Sequence, residues 1–163
     1  MANDMLVKLY DLPKYSDLIE SLDSEGIQIR RAFAPDKDLV LDFIRNISGV
    51  MAKGEADVSF ANRPISTFLA TDGYKIIGYA CYDATGKNYF GPTAVLEEYR
   101  GKGIGKALTL RSLDAMYQEG YNYAIIGAAG PTKFYEKICN AEVIPDSSPG
   151  GYKDFLTPRQ KDL

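Results

Sequence analysis

Residues 93–106 read Thr-Ala-Val-Leu-Glu-Glu-Tyr-Arg-Gly-Lys-Gly-Ile-Gly-Lys. An extended apolar segment ends in a glycine-rich, basic turn, and the helix-forming run Ile104–Gln118 follows at once. A helix that starts there leaves its first backbone N–H groups without intrahelical partners and turns the positive end of its dipole toward the glycines. Gly101, Gly103 and Gly105 let the main chain approach a ligand closely, and Arg100, Lys102 and Lys106 bring positive charge to the same place. A phosphorylated ligand suits such a turn.

Three phosphate-binding patterns compete for it. A dinucleotide fingerprint needs a glycine or alanine at the sixth position of G-x-G-x-x-G. Counting from Gly101 gives Lys106, and counting from Gly103 gives Leu108. A P-loop, G-x-x-x-x-G-K-[ST], would require a glycine at Arg100 and a hydroxyl at Ala107. The pattern [QR]-x-x-G-x-[GA] is matched in full by Arg100, Gly103 and Gly105.

Outward from the turn, alternation and turn residues predict strands at Ile27–Phe33, Thr67–Ala70, Lys75–Tyr82, Tyr89–Leu96 and Tyr123–Gly127. Asp72-Gly73 has the composition of a tight hairpin turn. Pro92 lacks a donor, so a bulge or one-sided pairing is expected around it. Pro35 opens a helix whose apolar stripe is Val40, Phe43, Ile44 and Ile47, and residues 49–65 read as a second short helix and a loop. Pro131 opens another helix to about Cys139, in which Phe134 and Ile138 are expected to face the core. Residues 6–12 read as an edge strand or extended arm and 14–22 as a short helix; Ala141–Ile144 and Tyr152–Leu156 read as final strands. The order predicts an α/β (α+β) sheet with helices packed on it.

The 163 residues fit one domain. A net charge of -3 argues against a general nucleic-acid binder and weakly favours a cationic substrate. The chain has no histidine, so Cys-His and Ser-His-Asp nucleophiles are excluded, as are histidine-bearing zinc sites. Cys81 and Cys139 form no CxxC pair and read as buried thiols. No apolar run approaches the ~20 residues of a membrane span, and no leader pattern opens the chain, so a soluble, cytoplasmic protein without a membrane partner is expected.

The strand Gly91-Pro-Thr-Ala-Val-Leu, the turn Arg100-Gly-Lys-Gly-Ile-Gly-Lys and the helix after it resemble the central motif of the GNAT superfamily of acyl-CoA-dependent N-acyltransferases. Phe134-Tyr135-Glu136-Lys137 resembles that family's second motif. The likeness covers about residues 27–156, which makes 1–163 a single acetyltransferase domain with residues 1–25 as an N-terminal extension. It implies a mixed, mainly antiparallel sheet of about six or seven strands, splayed at its centre, with helices on both faces. It also implies acetyl-CoA as cofactor. The amides of Gly101, Lys102, Gly103, Ile104, Gly105 and Lys106 would hold its pyrophosphate beside the positive charge of Arg100, Thr93, Ala94 and Val95 would hold its pantetheine arm, and the Val95 N–H would polarise the thioester carbonyl. Tyr135, at the family's tyrosine position, would protonate the leaving thiolate. A homodimer is common in the family.

The activity so implied is acetyl transfer to a primary amine of a small molecule or peptide by direct attack. A non-catalytic CoA-binding sensor or interaction domain is the alternative. Without histidine, the base that frees the amine must be a carboxylate, a tyrosine or a water relay. Glu55, Asp57, Asp83 and Tyr89 are candidates, whereas Glu97 and Glu98 read as solvated. Residues 130–133 and Cys139-Asn140-Ala141 depart from the family's usual second motif.

Overall fold

A strand pairs where its alternating apolar residues find a matching face, and the chain does this seven times. The computed structural model describes residues 2–157. Its strands are β1 (Met5–Lys8), β2 (Ile27–Arg31), β3 (Thr67–Asp72), β4 (Lys75–Tyr82), β5 (Tyr89–Val95), β6 (Tyr123–Ile126) and β7 (Glu142–Val143). Its α-helices are α1 (Ser16–Ser24), α2 (Lys37–Ala61), α3 (Ile104–Gln118) and α4 (Thr132–Cys139). The strands form one sheet in the order β2-β3-β4-β5-β6-β1-β7, antiparallel except for the β5–β6 pair.

Helices cover both faces. Against one face packs α2, whose Val40, Leu41, Ile44, Ala52, Ala56 and Phe60 meet Leu69, Tyr79 and Cys81 of the sheet. Against the other pack α1, α3 and α4, with Leu22, Leu108, Leu113 and Ile138 set on Phe68, Ile77, Phe90 and Ile126. The uncertain stretch after residue 49 is the second half of α2. Gly49 takes φ 92 and ψ 178, which kinks the helix where only glycine tolerates the turn.

The two ends of the chain differ from their sequence reading. Residues 5–8 are neither an arm nor an edge strand. Met5–Lys8 lies inside the sheet, antiparallel to β6 on one side and to β7 on the other. Met5 and Val7 are fully buried, so the strand contributes to the core, and α1 brings Leu18, Ile19 and Leu22 to the same cluster. At the other end, Tyr152–Leu156 makes no strand: Gly150–Tyr152 is a single 3-10 turn, and β7 is only two residues long. The place beside β6 is already filled by β1, so the last described residues fold as a loop over the sheet end.

Replacing Met5 with Ala therefore opens a core cavity. We expect it to cost about 2–5 kcal/mol of stability, read as a lower urea midpoint at unchanged m-value; an unchanged midpoint would mean that β1 is a dispensable appendage.

Candidate active site

The sheet parts at its centre. β5 and β6 pair only at Tyr89↔Ile125 and Phe90↔Ile126. Beyond that point β5 keeps its pairing with β4, and the register jumps from Tyr82↔Phe90 to Ala80↔Thr93 across Gly91 and Pro92. The bulge expected at Pro92 is thus present, with Gly91 at φ 116. Leu96 donates its backbone N–H to the Ile77 oxygen at 2.9 Å, and Ala94 lies opposite Tyr79. Strand alternation then turns the main-chain groups of Thr93 and Val95 away from β4, toward the gap. Strand groups left without a partner in the sheet, here those of Thr93 and the Val95 N–H, suit an extended, amide-containing ligand, while the Val95 oxygen accepts from Arg100 Nε.

The glycine turn closes one side of the gap. Gly101 (φ 85) and Gly103 (φ 86) are left-handed, and Gly103 caps α3 with no side-chain hydrogen bond. The first N–H groups of α3 consequently stay open to a ligand. A Cβ on Gly105 would stand 3.7 Å from Phe134 and 3.8 Å from Val95, so the turn, β5 and α4 converge there. Ile104 is buried and anchors the turn. Of the three cations, Arg100 folds back to the Val95 oxygen (Nε, 3.3 Å) and Lys102 lies 3.7 Å from Glu25. Lys106 makes no ion pair among the described residues. Leu18 of α1 closes the turn from outside, 2.8 Å from where a Gly103 Cβ would sit. Sequence reasoning missed Leu18 because it treated the segment that carries it as lying outside the core.

Tyr135 sits at the base of the gap. Its ring meets Phe90 edge-on at 6.2 Å and Phe134 at 5.2 Å. The core face of α4 is Tyr135, Ile138 and Cys139, whereas Phe134 is exposed, which reverses the face expected for Phe134 and Tyr135. The i, i+3, i+4 stripe simply starts one residue later. The Tyr135 hydroxyl has no hydrogen-bond partner among the described residues, and no partnerless side-chain oxygen there is sealed from solvent, so it opens onto accessible space. Burial pushes its phenol up to about 12, and the Cys139 thiol adds to the shift. Asn140 takes the left-handed cap (φ 53) that ends α4, and asparagine is the side chain best suited to replace glycine there.

On the α2 face of the same gap lies a second group of residues. Strand alternation sends Tyr89 opposite to Phe90. Its ring meets Tyr152 edge-on at 6.4 Å, and the Tyr152 hydroxyl rests on Gly127, 1.7 Å from where a Cβ would stand. Asp4 braces this side: its Oδ1 accepts the Ala128 N–H at 2.7 Å, and its own N–H goes to Ser147 Oγ at 2.8 Å. Among the candidate bases, Asp57 is drawn outward to Lys37 at 3.0 Å. Asp83 accepts from the Asn88 N–H and from the Tyr121 hydroxyl. Glu97 and Glu98 are exposed. Glu55 is half-buried, as are Asp83 and Tyr89, and it is held by the Thr85 hydroxyl at 3.0 Å. No described helix is long and apolar enough to cross a membrane.

Residues 64–138 match the family described as acetyltransferase (GNAT) domain. No curated protein matches the sequence. Among solved structures, a GCN5-related glucosamine N-acetyltransferase region of a fungal multi-domain GH3 β-N-acetylglucosaminidase superposes with a TM-score of 0.70 at 13% identity, over 87% of this chain and 19% of that one. A GCN5-related N-acetyltransferase from Sphaerobacter thermophilus gives 0.63 at 19% identity, over 87% and 48%. A GNAT family acetyltransferase from Brucella melitensis, solved with acetyl-CoA, gives 0.52 at 16% identity, over 68% and 80%. The first two are much longer proteins, of which this chain spans less than half.

A Cβ at Gly127 would have to displace Tyr152. We expect Gly127→Ala to cost about 1–3 kcal/mol, measured by thermal unfolding, with most of the loss recovered in the double variant Gly127→Ala/Tyr152→Ala. The domain match spans β3 to α4, and the parted seven-stranded sheet built around it has the fold of the solved GNAT structures.

Proposed function

We propose that the protein transfers an acetyl group from acetyl-CoA to a primary amine. The observation that carries this reading is the side-by-side placement of an uncapped helix N-terminus and a strand edge freed by the β5–β6 parting. The donor set fits the cofactor. Gly101 and Gly103 are left-handed, and the amides of Ile104, Gly105 and Lys106 lack helical acceptors, which suits a pyrophosphate. The Lys106 ammonium adds positive charge. The exposed main-chain edge at Thr93 and Val95 suits the amides of a pantetheine arm, with Ala94 between them packed toward α2.

Bound acetyl-CoA would supply a thioester carbonyl open to attack. The chain's own groups then divide the work. The Val95 N–H faces the gap, where it would stabilise the oxygen on which negative charge builds. Tyr135 keeps its proton at neutral pH because burial holds its phenol up to about 12. It would give that proton to the sulfur as the C–S bond breaks and the C–N bond forms. The proton shed by the new amide nitrogen returns to the phenolate, so the residue ends as it began. The apolar wall of Phe90, Phe134 and Val95 keeps water from competing for the carbonyl. The cofactor-bound neighbour from Brucella melitensis supports the cofactor assignment by likeness of fold.

Calorimetric titration should show CoA binding and no ATP binding, and thiol release from acetyl-CoA should require an amine. Tyr135→Phe should lower kcat on the order of 10²-fold with the CoA Kd within about twofold of the parent (0.4 kcal/mol). CoA binding without amine-dependent thiol release in the parent protein would make it a binding module.

A further inference from the structure

The gap has two sides, and the groups assigned so far all lie on one of them. The turn, Phe134 and Tyr135 belong to the face packed by α3 and α4. Across the opening, on the α2 face, a run of contacts leads from Glu55 to the slot. Glu55 Oε1 accepts the Thr85 hydroxyl at 3.0 Å. The next residue, Gly86, lies against the Tyr89 ring, 3.3 Å from its own Cβ position. Tyr89 meets Tyr152, and Tyr152 lies on Gly127 at the end of β6. Ala52 and Ala56, flanking Glu55 on α2, are buried against Tyr79, Cys81 and Ala84, which fixes the side of the helix that faces the sheet.

Resting on the acyl-transfer reading above, we propose that Glu55, with the Tyr89 and Tyr152 rings, forms the acceptor subsite, which binds a primary ammonium group and takes one proton from it before attack. A half-buried carboxylate beside aromatic faces recognises a cation by charge and by ring quadrupole together. The proton balance closes: the ammonium loses one proton to Glu55 and becomes a neutral nucleophile, and Glu55 later returns that proton to solvent. Of the carboxylates weighed beside it, Asp57 pairs with Lys37, Asp83 accepts both from the Asn88 N–H and from the Tyr121 hydroxyl, and Asp4 accepts from the Ala128 N–H, whereas Glu55 accepts only from Thr85 among the described residues. The titratable groups that sense Glu55 are Tyr79 and Cys81 from β4 and Tyr152 from the C-terminal turn, all held protonated by burial. Burial likewise raises the Glu55 carboxyl above its ordinary value, against the lowering effect of the Thr85 hydrogen bond. A base in that range ionises closer to neutrality, as proton abstraction requires.

The test uses the full chain with acetyl-CoA and a panel of n-butylamine, benzylamine, glucosamine, spermidine and a lysine-containing peptide, alongside n-butanol and benzyl alcohol as uncharged counterparts. Thiol release and CoA titration calorimetry are read together across pH. The subsite requires amine-dependent release in the parent, none with the alcohols, and an acidic limb in kcat/KM lying above the usual carboxylate range. Glu55→Gln should lower kcat/KM on the order of 10²-fold and abolish that limb, with CoA affinity unchanged, and Glu55→Asp should restore the limb in part. If Glu55→Gln keeps the parent's rate and limb, the subsite is refuted while acyl transfer stands. CoA binding with no amine acetylated refutes the ammonium subsite as well, and absence of CoA binding in the parent overturns the acyl-transfer reading itself.

Discussion

Two residues of parallel pairing hold the centre of this sheet together. After Phe90↔Ile126 the strands separate, because Gly91 and Pro92 occupy a bulge that pairing with β6 cannot follow. A parallel pair that short would be a weak seam in water. Here it is supported from both faces, by α3 and α4 on one side and by α2 on the other. The helices fix the sheet, and the sheet is thereby free to expose main-chain groups at Thr93 and Val95 in its middle. These half-exposed strand groups, left without partners in the sheet, are the kind that an extended ligand can pair with.

Each jaw of the opening is held by different means. The β5 jaw is held by packing: Val95 and Phe134 both close on Gly105. The β6 jaw is held by polar ties, chiefly the buried Asp4 carboxylate on the Ala128 N–H and the Asn3 oxygen on the Ala129 N–H. Ala128 has φ 45, a conformation that costs a non-glycine residue on the order of 1–2 kcal/mol. A charge-assisted hydrogen bond of about 1.5–3 kcal/mol is large enough to sustain it.

The central half of the molecule was legible in the sequence because each signal there was local. The boundaries of β4 and α3 follow from alternation, an Asp-Gly turn signal and a glycine-rich helix start, and the structure turns at Gly73-Tyr74, one residue later than the pair Asp72-Gly73 suggests. The ends were not legible. Met5–Lys8 has the pattern of any short apolar run, and nothing local says that its partners are Ile126 and Val143. The α4 face was misread because Phe134 and Tyr135 are adjacent and both aromatic, so an apolar stripe can begin at either. Only packing against Phe90 chooses Tyr135. The parting itself was suggested by Pro92, but the residues across it on the α2 face, Tyr89, Tyr152 and Glu55, come from three distant segments and carry no shared motif.

The position of β1 also constrains how the chain reaches its native state. Its backbone partners lie far downstream, β6 beyond three of the four helices and β7 beyond all four, so β1 can pair only by closing a loop of more than a hundred residues. Such non-local pairing slows folding relative to the β3–β4 hairpin, whose closure spans only a tight turn. The hairpin and α3 rest on local contacts, whereas the acidic brace at Asp4 joins residues 124 positions apart. The second wall of the slot is thus built from some of the least local contacts in the chain.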